Sequence, residues 1–129
     1  MYSAQVLDHF EQPRNAGDVP DADASVQLEN PACGDILRLS VKIANSRFTD
    51  IRFRAKGCVP AIACASLLTE LLKGRTLAEA KTLRREELLA ALGGLPPESM
   101  HASHLAMDAL AAVLKILLNR SQKAVDKSL

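Results

Sequence analysis

The chain contains no Trp, one Tyr and three Phe among its 129 residues. Such a surface offers no aromatic platform on which bases could stack. Its formal charge is only +1, so no basic field is available to neutralise phosphates. These two scarcities argue against a nucleic-acid partner. Cysteine is scarce as well: three residues, an odd number without the spacing of a disulfide framework. That usage suits a reducing cytoplasm, where thiols persist for metal or redox work. Long apolar runs are missing too. The run over 110–118 is interrupted by Lys115 and reads as too short to span a bilayer. With Asp8 and Glu11 and no basic start, the N-terminus does not read as a signal peptide. The expectation is a cytoplasmic chain with neither a membrane nor a nucleic-acid partner.

What is present is a globular balance, 48% hydrophobic and 24% charged. A chain of this length is expected to form one domain, 1–129, and to remove roughly two thirds of its unfolded surface from water. Residues 2–10 suit a short helix ended by Pro13 and the turn 14–17, with 18–24 a polar loop. Alternation over 25–29, 37–43 and 48–55 predicts three strands in an antiparallel sheet with one wet face. At Val59 the period becomes helical: Ile62, Leu67, Leu68, Leu71 and Leu72 form a stripe stopped at Lys73-Gly74. Thr76 and Glu79 have capping-box spacing and open a short helix. Another helix covers 85–92, and the last begins near Ser99, with 121–129 a fraying polar tail. The predicted class is α+β: a three-stranded antiparallel sheet covered on one face by helices.

Chemistry gathers at three turns. Asn30-Pro31-Ala32-Cys33-Gly34-Asp35 falls between two strands and offers a soft thiolate with a harder carboxylate two positions on. Lys56-Gly57-Cys58 precedes a helix with Pro60 in its first turn. This puts the Cys58 sulfur at a helix N-terminus, where the dipole favours a thiolate. The third turn is Leu95-Pro96-Pro97, followed by Met100-His101-Ala102-Ser103. Plainer readings stand beside these: Cys33 as a buried small side chain, Asp35 as a turn former, His101 as a surface imidazole. Cys64 lies six residues after Cys58, roughly 120° around the helix. It reads as a small buried residue beside Ala61 and Ala65, with a resolving thiol for Cys58 as the alternative. His104 shares a face with His101 and lies four residues before Asp108, its natural partner.

These pieces, in this order, resemble the IscU/NifU N-terminal-domain family, the scaffolds on which iron–sulfur clusters are built. The resemblance runs over nearly the whole chain. It passes through Val6-Leu7-Asp8-His9-Phe10, Pro13-Arg14-Asn15-Ala16-Gly17, Ala32-Cys33-Gly34-Asp35 and Gly57-Cys58. It continues in Ser66-Leu67-Leu68-Thr69-Glu70, Lys73-Gly74-Arg75-Thr76, Leu95-Pro96-Pro97, His101, Ser103 and Asp108-Ala109. It implies a ligand set of Cys33, Asp35, Cys58 and His101 for iron or a labile [2Fe-2S] cluster, with Asp35 easing release. It also implies a cysteine desulfurase and cluster-recipient proteins as partners, and a binding and delivery role without enzymatic turnover.

Two departures qualify the resemblance. Ala102 occupies the place of the family's third cysteine, which ligates the cluster and receives sulfur. The segment that a heat-shock chaperone recognises, Leu-Pro-Pro-Val-Lys in the family, reads Leu95-Pro96-Pro97-Glu98-Ser99. Exchanging an apolar group and a cation for an anion and a hydroxyl argues against that chaperone as a partner. The alternative function is a Zn²⁺-binding or metal-free paralogue acting through contacts with the assembly machinery. A sulfur carrier using Cys58 and Cys64 is a third reading.

Overall fold

A computed structural model describes residues 2–32 and 34–127, with 121–127 described by their backbone alone. Helix α1 (Ala4–Glu11) is followed by strands β1 (Ala24–Asn30), β2 (Asp35–Ala44) and β3 (Arg47–Lys56). Four helices follow: α2 (Val59–Leu72), α3 (Leu77–Thr82), α4 (Arg85–Ala91) and α5 (Met100–Lys127). The strands form an antiparallel sheet in the order β1-β2-β3. Asn45 and Ser46 close β2 onto β3 with φ values of 54° and 60°, the two left-handed positions a tight hairpin turn needs.

The period-two pattern sorts the faces as the sequence predicts. Leu37, Leu39 and Val41 of β2 lie inside, opposite Ala55, Phe53 and Ile51 of β3. Helices α2 and α5 cover this face. Burying a side chain such as Leu39, Phe48 or Ile51 contributes about 1.5–3 kcal/mol each, and all three have no exposed surface. Helix α5 sets Ala102, Ala106, Ala109, Leu110, Val113 and Leu117 against the core. By length and composition alone the stretch Pro97–Arg120, which starts ahead of α5 and contains the short run 110–118, is long and apolar enough to cross a membrane. Its apolar side nonetheless forms the core of the domain.

The opposite sheet face is less wet than the alternation suggests, because residues 13–23 cross it as a strap. Gly17 N–H donates to Phe53 O at 2.8 Å, and Phe53 N–H to Asn15 O at 3.0 Å, so the strap begins on the outer edge of β3. Val19 N–H then donates to Ser40 Oγ at 2.9 Å, and Asp23 N–H to Val41 O at 2.8 Å. Arg38 and Arg54 stand directly opposite each other in the ladder, a repulsive pairing. Asp18 on the strap meets both, at 3.3 and 2.6 Å. That charge arrangement explains why a polar loop holds to a sheet face.

Helix α1 is fastened to α2 by a buried polar network. His9 Nδ1 and Ser66 Oγ share a hydrogen bond of 2.8 Å, and the same hydroxyl accepts from Arg14 N–H at 2.8 Å. Thr69 Oγ1 donates to Ser66 O at 2.7 Å and accepts from Asn15 Nδ2 at 3.2 Å. Burial, and then the Arg14 guanidinium, push the His9 imidazole below its ordinary pKa, so it is held neutral.

Candidate metal centre

Strand pairing fixes where the three turns meet. Asp35 begins β2 opposite Asn30, and Ile36 pairs with Lys56 at the end of β3. The chain leaves β3 through Gly57, and Cys58 is the N-cap of α2, with Pro60 in the first turn. His101 lies in the first turn of α5. One end of the sheet thus collects the start of one strand and the starts of two helices. The glycine has a defined task there. A Cβ on Gly57, whose φ is +150°, would lie 2.1 Å from Asp35 Oδ1, so only glycine lets the carboxylate in.

Asp35 is 2% exposed, while Cys58 and His101 are half-buried and reach solvent. Cys58 N–H donates to Asp35 Oδ1 at 3.1 Å, which fixes the carboxylate and turns Oδ2 towards the other donors. From Oδ2 it is 3.3 Å to Cys58 Sγ and 3.4 Å to His101 Nε2. Sγ and Nε2 are 3.9 Å apart. Bonds of about 2.3 Å to sulfur and about 2.1 Å to nitrogen or oxygen space the ligands of a tetrahedral ion about 3.4–3.6 Å apart. The observed triangle is close to that, and its ligand atoms all lie within 4.8 Å of one another. These three residues therefore fit one metal ion. Among the described residues they are the one such group of three or more His, Cys, Asp or Glu.

Of the four ligands expected from the sequence, Asp35, Cys58 and His101 come together, and Cys33 lies outside the described residues. Ala102 is 1% exposed, packed into the core with no donor to offer. His104 is exposed and stays out of the triangle. It lines a cleft of about 290 Å³ with His101, Asp108, Glu29 and Pro31, beside the centre. Cys64 is fully buried among the core residues, and burial, with the Cys58 charge adding, pushes its thiol up to about 12. A thiol in that state is inert, which opposes a resolving role. The sequence reading named Gly57 without its reason. The collision with Asp35 arises only when residues 35 and 57 are brought side by side across the ladder.

A family model described as NifU-like N terminal domain matches residues 1–124. The chain is 43% identical over 127 residues to "Iron-sulfur cluster assembly scaffold protein IscU 1" of Archaeoglobus fulgidus, covering 98% of this chain and 82% of that one. It is 40% identical over 117 residues to "Iron-sulfur cluster assembly scaffold protein IscU" of Escherichia coli, covering 88% and 91%. The fold also matches a NifU-like N-terminal protein from Brucella abortus, with a TM-score of 0.74 and 20% identity over 91% of this chain and 94% of that one. With the family model matched over residues 1–124 and relatives 40–43% identical over most of its length, this chain belongs to the NifU-like N-terminal domain family.

Proposed function

We propose that the protein is an iron–sulfur assembly scaffold: it receives iron or a labile [2Fe-2S] cluster as cargo at Asp35, Cys58 and His101, with Cys33 as a further thiolate, and passes it on. The observation that carries this reading is the triangle of carboxylate, thiol and imidazole at one half-open end of the sheet. The scaffold names of its relatives support it. Cargo and protein part intact, so the role is binding and delivery, not turnover. A carboxylate among soft ligands weakens the hold on a cluster, which suits delivery. The partners on this reading are a cysteine desulfurase and cluster recipients in a reducing cytoplasm. Glu98 and Ser99 argue against the chaperone. Anaerobic reconstitution with ferrous iron and sulfide tests it. A sulfur-to-iron charge-transfer band, with about two irons per chain or per pair of chains, supports the scaffold. No colour and no bound iron overturns it.

A second reading has its own support. The described donors are one nitrogen, one sulfur and one oxygen at near-tetrahedral spacing, and Ala102 removes a sulfur from the family pattern. Such a set suits Zn²⁺. A colourless protein with stoichiometric zinc after purification, refusing exchange for iron, selects the zinc-binding paralogue.

A further inference from the structure

Helix α5 carries a second apolar stripe that the core covers only in part: Met107 and Leu114 pack against its edge, while Ala111 and Leu118 face solvent. Met107, Ala111, Leu114 and Leu118 recur at spacings of four, three and four, the seam of paired helices. Leu118 is 44% exposed, the most exposed large hydrophobic side chain among the described residues. Ala111 is exposed, and Met107 and Leu114 are half-buried. Ala111, Leu114 and Leu118 floor a groove of about 360 Å³ rimmed by Lys81 and Lys115. Along the solvent side of the stripe lie Asp108 and Lys115, seven residues apart and so at one heptad position. That is about 10 Å along the axis, too far for the two to pair within the helix. Among the described residues neither side chain makes a hydrogen bond or an ion pair.

Opposite charges seven residues apart beside an apolar seam are self-complementary under a two-fold axis. We propose that this face is where two copies of the chain pack, with their α5 helices antiparallel and the axis passing between Ala111 and Leu114. In that arrangement Met107 meets Leu118 of the partner subunit, and Ala111 meets Leu114 of the partner subunit. Asp108 meets Lys115 of the partner subunit, and every contact occurs twice, as an isologous interface requires. One helix face offers less than the roughly 800 Å² per partner of a standard stable interface, so the dimer is weak and concentration-dependent. The geometry also separates the two metal centres. With Met107 level with the partner's Leu118, the two His101 residues stand roughly 35 Å apart along the axis, at opposite ends. Each centre stays open to solvent, and the two copies cannot share one cluster through this contact.

Sedimentation equilibrium of the apo chain, from low micromolar to near-millimolar concentration, tests the proposal independently of metal loading. The weight-average mass is expected to rise from 13.9 kDa towards twice that value. Leu118→Glu should abolish the rise. Asp108→Lys and Lys115→Asp should each weaken association at least tenfold, and the double variant should regain it, because the charges are then exchanged with their complementarity intact. All three substitutions are on solvent-facing side chains, and circular dichroism checks that the fold is kept. A constant 13.9 kDa at every concentration overturns the proposal and leaves the cation-rimmed groove to an acidic helix of another protein. A double variant that stays as weak as the single ones also overturns it.

Discussion

The molecule holds two polar clusters, and they are built on opposite plans. Under α1, His9, Ser66, Thr69, Asn15 and Arg14 match donor to acceptor in a closed chain. At the end of the sheet, a carboxylate, a thiol and an imidazole are aimed at one common point. The first plan completes the fold, because buried polar groups cost little once they are paired. Here Arg14 Nη1 is the one buried side-chain atom of the cluster without a hydrogen bond. The second assembles ligand atoms whose natural complement is a cation. Both clusters join distant parts of the chain, so sequence separation does not tell them apart. Chemistry does: alternating donors and acceptors in one, converging lone pairs in the other.

The contrast predicts which changes cost metal and which cost stability. Cys58→Ser removes the soft donor. Its metal affinity should fall by more than the roughly 10–100-fold that changes outside the ligand shell cause, while the denaturation midpoint moves little. Metal titration of the apo protein reads the first, and urea unfolding the second. Gly57→Ala should harm both. The new methyl displaces the Asp35 carboxylate, and a backbone at φ +150° is strained for any side chain. The expected loss is about 1–3 kcal/mol of stability together with weakened metal binding. If affinity is unchanged in this variant, Asp35 is not a ligand.

Ser66→Ala should behave in the opposite way. It leaves the His9 ring and the Arg14 N–H without their shared hydroxyl, at a cost of about 1–3 kcal/mol, and metal affinity should stay as it was. Equal losses in both assays would show that the two clusters are coupled. The smallest expected effect is a pH dependence. The folded pKa of His9 lies below its ordinary 6.5, so the unfolded chain binds the proton more readily. The stability from neutral His9 is complete above about pH 6.5 and is lost as pH falls from there through the lowered folded value. Apo protein should therefore unfold at lower urea at pH 5 than at pH 7. His9→Gln should flatten that slope, and an unchanged slope would remove His9 from the account.

Much of this architecture is legible in the sequence because its signals are local. Alternation marks the strands, Thr76 and Glu79 form the capping box as spaced, and Cys58 stands at the N-cap position of α2 as the following Pro60 suggests. The strap is not legible: a run of Asp, Pro and Ala reads as a loop until Arg38 and Arg54 are seen to face each other across the ladder. At the candidate centre, the ligand types and three of their positions follow from the motifs. Their separations do not, since the triangle depends on strand register and on where α5 begins. The apolar stripe of α5 also misleads. Read as one interrupted run it is short, whereas in the helix it divides into a core side and an outward seam.

The contact between Gly57 and Asp35 links their possible histories. While the carboxylate is in place, position 57 admits no side chain at all, because even a methyl group would lie 2.1 Å from its oxygen. Loss of Asp35 lifts that collision, although the backbone angle at 57 still disfavours other residues. A lineage that abandons the metal would thus be free to give up Asp35 first and Gly57 only afterwards, and a return would have to retrace those steps in reverse.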